Sequence, residues 1–253
     1  MALLEIRNLS KYFGGLAAIK QLNLDIFDSE IVGLIGPNGA GKTTLFNVIT
    51  GFYPPNEGKI IFRGEDITGL EPHQIAQRGL GRTFQQSLLF MRSTVLENIL
   101  IGFHMNCRAG ALKEFLHTSG SRKADQEARE QALEIIDFMG LDPLKYKLPE
   151  ELSSGYQKAL AVSIAFATKP KLLLLDEPVT TLSPDKVEMI MKLIAKVRDA
   201  GTTVVVIEHN MKAIMDFCDR IVVLAYGRKI AEGLPQEIRE NKEVVEAYLG
   251  AIG

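Results

Sequence analysis

Short apolar runs recur along this chain, and the apolar positions have two kinds of spacing, one typical of strands and one typical of helices. In the N-terminal part, alternating apolar and polar positions predict strands over residues 3–9, 22–27 and 58–62. Further strands are predicted in the C-terminal part over residues 171–176, 202–207 and 220–224, with helical stretches between them. Strands that alternate with helices indicate a parallel sheet with right-handed crossovers. We therefore expect an α/β fold with a mostly parallel core sheet and a β-rich N-terminal portion.

The middle of the chain has a helical pattern instead. Over residues 125–139 the apolar side chains fall on one face of a helix. Gly110 and residues 117–121 have the composition of exposed loops. We expect residues from about 95 to 167 to form a helical lobe. Beyond it, Pro184 suits the first position of a helix predicted over residues 184–198.

Composition narrows the class of protein. The chain has 253 residues, 46% of them hydrophobic, and a formal charge of -2. That length suits one large domain or a core with an attached lobe, and the charge gives no support to a nucleic-acid partner. Cys107 and Cys218 lie far apart and outside metal-like spacing, which indicates a reducing compartment. No signal-peptide pattern and no bilayer-length apolar run is found, so a membrane role is expected only through a partner.

A glycine-rich segment carries the strongest chemical signal. Residues 36–43, Gly-Pro-Asn-Gly-Ala-Gly-Lys-Thr, match G-x-x-x-x-G-K-[ST] and lie between a predicted strand over 30–35 and a predicted helix over 44–50. The glycines let backbone N–H groups point inward around a triphosphate, and the following helix adds its positive dipole end. Lys42 can reach the β- and γ-phosphates, and the Thr43 hydroxyl can bind Mg²⁺. A glycine-rich turn with a surface lysine is the weaker alternative.

Two strand ends carry further polar side chains. The strand over 171–176 ends at Asp176, which Glu177 follows, and ligands of open α/β sheets bind at such carboxyl ends. Asp176 can hold the water shell of a metal, and Glu177 can orient or deprotonate an attacking water. The next strand ends at His209, which can bond a γ-phosphate or belong to a helix-capping loop.

Residues 152–157, Leu-Ser-Ser-Gly-Tyr-Gln, precede an apolar helical stretch. Ser154 and Gln157 fit a capping box, which any helix start can carry. A helix N-terminus can also bind a second phosphate group. The residues alone leave both interpretations open.

The order of these motifs resembles that of the ATP-binding subunits of ABC transporters, over nearly the whole chain. The ordered set is 36–43, Gln85 within 81–85, 152–156, 176–178 and His209. The resemblance implies the ABC ATPase fold of P-loop NTPases, with a RecA-like core over 1–94 and 168–253 and a helical subdomain inserted over 95–167. It also implies an antiparallel N-terminal β portion, and hydrolysis of ATP with Mg²⁺ as cofactor.

The same resemblance implies roles for single residues. Phe13 would stack on the adenine ring, Gln85 would bind Mg²⁺ and sense a membrane subunit, and the loop 180–183 would communicate across a dimer. The implied catalytic residues are Glu177, His209 and Lys42, and the implied metal ligands are Thr43, Gln85 and Asp176. The implied nucleotide-binding set is Phe13, Gly36, Pro37, Asn38, Gly39, Ala40, Gly41, Lys42, Thr43, Thr44 and Gln85. Ser153, Ser154 and Gly155 would contact the γ-phosphate held by the opposite subunit.

The partners follow from the family. Two ATP-binding subunits, identical or paralogous, would pack head to tail with two ATP molecules between them, and hydrolysis would open the dimer. Transmembrane permease subunits would dock on the helical lobe and near Gln85, where Leu88, Leu89, Phe90 and Met91 cluster. A substrate-binding protein would act indirectly. The expected location is the cytoplasmic face of the cell membrane.

Softer cues narrow the family. Residues 13–16, 79–90 and 232–250 resemble branched-chain amino acid importer ATPases of the LivG type. ATPases for lipopolysaccharide export or for urea and amide uptake have a similar layout, and a soluble non-transport ABC ATPase and a non-hydrolysing nucleotide-gated subunit are further alternatives. The usual signature Leu-Ser-Gly-Gly-Gln is Leu-Ser-Ser-Gly-Tyr over 152–156 here, and Ser183 ends the loop that usually ends in Asp or Asn.

Overall fold

A computed structural model describes residues 2–83, 89–106 and 119–249 of the chain. The strands are β1 (Leu4–Phe13), β2 (Leu16–Ile26), β3 (Ile31–Ile35), β4 (Glu57–Phe62), β5 (Glu65–Asp66), β6 (Leu80–Arg82), β7 (Leu172–Asp176), β8 (Thr203–Ile207), β9 (Arg220–Ala225) and β10 (Arg228–Gly233). The helices are α1 (Lys42–Ile49), α2 (Pro72–Gln77), α3 (Val95–Asn106), α4 (Ser119–Phe138), α5 (Ser154–Ala167), α6 (Pro184–Asp199), α7 (Met211–Phe217), α8 (Pro235–Glu240) and α9 (Lys242–Leu249). Short 3₁₀ turns occupy Asp142–Leu144 and Pro149–Glu151.

The central sheet is mostly parallel, as predicted. Its strand order is β10-β9-β3-β8-β7-β6, and only the β9–β10 pair is antiparallel. The sequence analysis identifies no strand at β10, where charged residues interrupt the apolar pattern. Since β3, β7 and β8 lie inside the sheet and run in the same direction, their carboxyl ends meet at one edge, and this edge collects the predicted site residues.

The N-terminal strands form a second, antiparallel sheet in the order β2-β1-β4-β5. The apolar pattern predicts the second strand over residues 22–27, whereas β2 begins at Leu16. The early part of β2 lacks clean alternation because its pairing with β1 contains register shifts. The tight β1–β2 turn leaves Phe13 at the end of β1, exposed to solvent.

The inner strands β3, β7 and β8 of the central sheet are almost entirely apolar and fully buried because helices or the second sheet cover both faces. Leu173 and Leu175 of β7 face a cluster that includes the helices α3 to α6. Leu172 and Leu174 face the opposite cluster, with α1 and the antiparallel sheet. Burial of such side chains stabilises each by about 1.5–3 kcal/mol. The alternating faces fix the register, so the residue that follows Leu175 is held at a defined position.

The helical segment differs from its prediction at one end. Helix α4 begins at Ser119, so the predicted loop over 117–121 is wrong for residues 119–121. The small polar residues there continue an existing helix, since extension needs only one hydrogen bond for each added residue. Gly110 and residues 117–118 lie outside the described residues. The helix predicted over 184–198 is confirmed as α6, with Pro184 in its first turn.

No helix within the described ranges has the length and apolar character needed to cross a bilayer.

The Cys218 thiol is buried at the end of α7, and burial raises its pKa to about 12. A thiol that stays protonated is a poor nucleophile and a poor metal ligand, so Cys218 is a core residue.

Candidate functional site

The segment over residues 36–43, called the phosphate loop after the motif that it carries, forms a tight loop between β3 and the start of α1. Its three glycines, Gly36, Gly39 and Gly41, all have positive φ, as the motif predicts. The Ala40 N–H donates to the Pro37 carbonyl, and the Gly227 N–H in the β9–β10 turn donates to the Ala40 carbonyl. Helix α1 begins at Lys42, two residues earlier than predicted, because Gly41 in the left-handed region serves as its N-cap.

Lys42 lies inside this loop. Its Nζ donates to the carbonyl oxygens of Gly36 at 2.7 Å and Pro37 at 3.1 Å. Burial lowers the pKa of Lys42, and the carboxylates of Glu177 and Asp176 act in the opposite direction. The lysine therefore lies within the electrostatic reach of both predicted acids. The two loop carbonyls that it contacts hold the ammonium group inside the loop.

Asp176 ends β7 and is buried in an ion pair that the sequence analysis does not identify. Nη2 of Arg82, at the end of the neighbouring strand β6, lies 3.1 Å from Oδ2 of Asp176. Nη1 of the same guanidinium donates to the Asn47 side chain near the end of α1 at 2.7 Å and to the Thr50 hydroxyl just after α1 at 3.3 Å. Burial raises the pKa of Asp176, and Arg82 counteracts this. Arg82 thus joins the helix of the phosphate loop to the acid of β7.

We expect Arg82→Met to destabilise the fold. Removing one partner of a buried ion pair leaves the other charge without compensation, so the free energy of unfolding should fall by about 3 kcal/mol or more. Chemical denaturation of the purified chain measures this change. Arg78→Met is the matched control, because Arg78 forms an exposed ion pair with Glu65 at the same 3.1 Å, and such pairs contribute about 0–1 kcal/mol. Equal losses in the two variants would contradict the assignment.

Glu177 and His209 come together although they follow different strands, β7 and β8. Nε2 of His209 lies 3.2 Å from Oε1 of Glu177, and the Thr180 hydroxyl donates to Oε2 of Glu177 at 3.3 Å. The backbone of Glu177 has φ 52°, in the left-handed region. Its N–H donates to the Ile207 carbonyl at 2.9 Å, and Lys158 donates to its carbonyl at 3.3 Å. These contacts aim the carboxylate toward the edge where β3 and its loop end.

The side chain of Phe13, which the resemblance predicts to stack on adenine, is accessible to solvent. Its ring is 43% exposed and contacts Tyr53 edge to face, with 5.3 Å between the ring centroids. Lys11 Nζ lies 5.2 Å from the Phe13 centroid. The sequence analysis does not identify Tyr53 because it follows α1, far from Phe13 along the chain.

The start of α5 differs from the capping-box prediction. The N-cap is Ser153, without a side-chain capping bond, and Gln157 donates instead to the carbonyls of Pro149 and Leu152. The capping box of Ser154 and Gln157 is therefore wrong. Ser153 and Ser154 are exposed, whereas Gly155 is buried against Lys186 and Met189. Within the described ranges, no hydrogen bond or ion pair joins residues 153–155 to the phosphate loop.

The remaining predicted residues lie in the phosphate loop, at the start of α1, or in the segment before α3. Thr43 and Thr44 lie in the first turn of α1, and Thr43 is exposed. Pro37, Asn38, Gly39 and Ala40 form the loop itself. Gln85 and Leu88 lie outside the described residues. Leu89 packs on the helical core, while Phe90 and Met91 are exposed.

The donor chemistry at this edge suits Mg²⁺. The Thr43 hydroxyl and the Asp176 carboxylate supply oxygen atoms, which Mg²⁺ prefers. Among the residues that the structure describes, no group of three or more His, Cys, Asp or Glu side chains forms a metal cage. Mg²⁺ bound with nucleotide needs no such cage, because phosphate oxygens and waters fill most of its coordination shell.

Comparison with known proteins identifies the family. The family model described as ABC transporter matches residues 19–180, more than half of the chain. The chain belongs to the ABC transporter ATP-binding family. It is therefore a nucleotide-binding ATPase. A second model, described as Branched-chain amino acid ATP-binding cassette transporter, matches residues 228–252, which include β10, α8 and α9.

Curated relatives of this ABC ATPase match over full length. It is 41% identical to the high-affinity branched-chain amino acid transport ATP-binding protein LivG of Escherichia coli (strain K12), over 98% of both chains. It is 34% identical to the lipopolysaccharide export system ATP-binding protein LptB of Haemophilus influenzae, over 99% of this chain and 98% of that protein.

Solved structures of ABC cassettes confirm the fold. The ADP conformation of the ATP-binding cassette MJ1267 superposes with a TM-score of 0.87 at 32% identity, over 99% of each chain. A dimeric structure of the bacterial ABC transporter cassette MJ0796 has a TM-score of 0.75 at 29% identity, over 92% of this chain and 98% of that one. The ABC ATPase fold predicted from the sequence is thus confirmed.

Proposed function

We propose that this ABC ATPase powers the uptake of branched-chain amino acids. The observation that carries the proposal is the match over residues 228–252 to the branched-chain cassette model, which lies outside the general cassette match. The 41% identity to LivG over 98% of both chains agrees with it. The identity to LptB, whose name refers to lipopolysaccharide export, is lower, at 34%.

In the proposed mechanism, the phosphate loop binds the ATP tail. Inward backbone N–H groups, Lys42 and the start of α1 place positive charge around the phosphates. Thr43 and Asp176, with Gln85, would hold Mg²⁺, which supplies charge neutralisation at the β- and γ-phosphates. Phe13 would stack on adenine. The exposure of Phe13 and Thr43 and the burial of Lys42 support these roles.

Glu177 is proposed as the residue that activates the attacking water. Its carboxylate lies 3.2 Å from the His209 imidazole and within electrostatic reach of Lys42, which supports roles for both groups beside a γ-phosphate. Glu177 would accept the water proton while His209 holds the terminal phosphate. The proposed proton acceptor and phosphate contact lie in the loops that follow the neighbouring strands β7 and β8, so the sheet brings the two loops to the same edge.

A second copy or a paralogue is proposed to complete the site. Ser153, Ser154 and Gly155 would meet the γ-phosphate held by that partner subunit, and ATP would join the two surfaces. The exposure of Ser153 and Ser154 is compatible with action across a dimer. Solved MJ0796 cassettes are dimeric. ATP favours the closed dimer and ADP the open one, which provides the work.

The partners on the membrane side are proposed to be transmembrane permease subunits. The exposed side chains of Phe90 and Met91, beside the helical subdomain proposed over 95–167, offer an apolar contact. A substrate-binding protein would act on the other side of the permease. The chain would then lie at the inner face of the cell membrane, attached through the permease.

Transport assays in the source organism test the substrate. Deleting the gene should abolish high-affinity uptake of labelled leucine, and the wild-type gene, but not Glu177→Gln, should restore it. A strain that keeps leucine uptake but accumulates lipopolysaccharide would favour the export function instead. Release of phosphate from ATP by the purified chain separately tests the ATPase activity.

A further inference from the structure

Glu208 is a buried carboxylate at the site that the mechanism above does not use. It directly follows β8 and precedes His209, and its residue is only 2% exposed. Burial raises its pKa, and the backbone N–H groups of Val179, His209 and Asn210 act in the opposite direction. Asp and Glu are almost never buried so completely without dedicated partners. The position of those partners indicates what this carboxylate does.

The two oxygens of Glu208 bind different loops. Oε1 accepts the Val179 N–H at 2.7 Å, in the loop that follows β7 and begins with Glu177. Oε2 accepts the His209 N–H at 3.0 Å and, more distantly, the Asn210 N–H at 3.5 Å. Bonds between an ionised acceptor and backbone N–H groups are among the stronger ones in proteins. The carboxylate therefore bridges the loop that carries Glu177 and the loop that carries His209.

Both loops need such support. Glu177 has a left-handed backbone, a conformation that persists in a non-glycine residue only when its surroundings hold it. His209 is exposed, and its own loop is fixed on the far side by Asn210, whose side chain caps α7 through the Ala213 N–H at 3.1 Å. Without the bridge, Ile207 would still accept the Glu177 N–H, but no other hydrogen bond between described residues joins Val179 to the histidine loop.

We propose that Glu208 is a positioning residue that sets the distance between Glu177 and His209. This inference rests on the proposed roles of those two residues in hydrolysis. In the described part of the chain, the hydrogen bonds of Glu208 go to the backbone N–H groups of Val179, His209 and Asn210, so we expect it to act through these neighbours. Val179 directly precedes the loop 180–183, which the family resemblance implies communicates across a dimer, so Glu208 joins the start of that loop to His209.

The Glu208→Gln variant tests this inference. The amide has only one oxygen, so one of the two loops would face an N–H₂ donor instead of an acceptor. We expect kcat for ATP hydrolysis to fall about tenfold or more, since a misplaced catalytic pair is costly. The affinity for ATP should stay within about twofold, because the phosphate loop and α1 are untouched. Glu208→Asp keeps the charge but is one methylene shorter, and should also lose turnover without losing affinity.

Two controls separate positioning from general stability. Thr202→Val removes a buried hydrogen bond to the Pro170 carbonyl at the opposite end of β8, and should lower the melting temperature without lowering kcat. In a His209→Ala background, Glu208→Gln should cause no further loss of kcat, because the histidine it positions is gone. Unchanged kcat in Glu208→Gln, or additive losses in the double variant, would overturn the inference. A wild-type chain that releases no phosphate would instead overturn the proposed activity.

Discussion

Glu177→Gln is expected to bind ATP normally and to hydrolyse it about 10²- to 10³-fold more slowly than the wild type. The amide keeps the shape of the side chain and can still contact His209 and Thr180, but it cannot accept the proton of the attacking water. Bound ATP would then persist between two subunits. Phosphate release gives the rate, and light scattering during size-exclusion chromatography in Mg-ATP should show a species of twice the monomer mass.

Glu188→Gln is the matched control for this change. Glu188 lies exposed on α6 in an ion pair with Lys192, so the same loss of charge there should leave turnover within about twofold, as is usual for surface substitutions. A Glu177→Gln variant that turned over ATP at the wild-type rate would exclude Glu177 as the proton acceptor. The proposal for Asp176 and Lys42 would survive that result, because it concerns binding and charge neutralisation.

Gly41→Ala is expected to abolish nucleotide binding. Gly41 has φ 103°, and a Cβ at this position would lie 2.4 Å from the Ala18 carbonyl oxygen of β2. The overlap is with a backbone atom of β2 rather than with a flexible side chain, so the loop itself must shift away from β2. Backbone strain and overpacking together cost about 3 kcal/mol or more. Isothermal titration with ATP or ADP measures the loss of affinity, and circular dichroism establishes whether the fold persists.

Gly39→Ala separates strain from collision in the same loop. Gly39 also has a positive φ of 77°, but no atom lies within 4 Å of the place that an alanine methyl group would occupy. The left-handed conformation alone costs an alanine about 1–2 kcal/mol. We therefore expect Gly39→Ala to weaken nucleotide binding far less than Gly41→Ala. Similar losses in both variants would mean that loop flexibility, rather than close approach to β2, explains the glycine at 41.

The phosphate loop could be predicted from the sequence because its chemistry is local. The three glycines, Lys42 and Thr43 lie within eight residues of sequence, and the strand and helix beside them have clear apolar patterns. The start of α1 still differs from its prediction by two residues, since the N-cap is a left-handed glycine rather than a polar side chain. The capping box at Ser154 is wrong for a related reason. Gln157 finds the carbonyls of Pro149 and Leu152, which a 3₁₀ turn places nearby.

The partners of the acids could not be predicted in the same way. Arg82 meets Asp176 across 94 residues of sequence, and Glu208 meets Val179 across 29. Nothing in the local pattern around Arg82 or Glu208 distinguishes them from exposed charged residues that follow a strand. Their burial becomes visible only when the strand order places β6 beside β7 and β7 beside β8.

The sequence by itself determined most strands of the central sheet, the glycine loop over 36–43 between β3 and α1, and the polar residues that follow β7 and β8. It did so because apolar periodicity and glycine conformational freedom act over a few neighbouring residues. The tertiary structure decided that His209 faces Glu177, that Arg82 is paired with Asp176 and that Glu208 bridges two loops. Those contacts depend on the order and register of parallel strands, which are set by packing of both sheet faces across the whole chain.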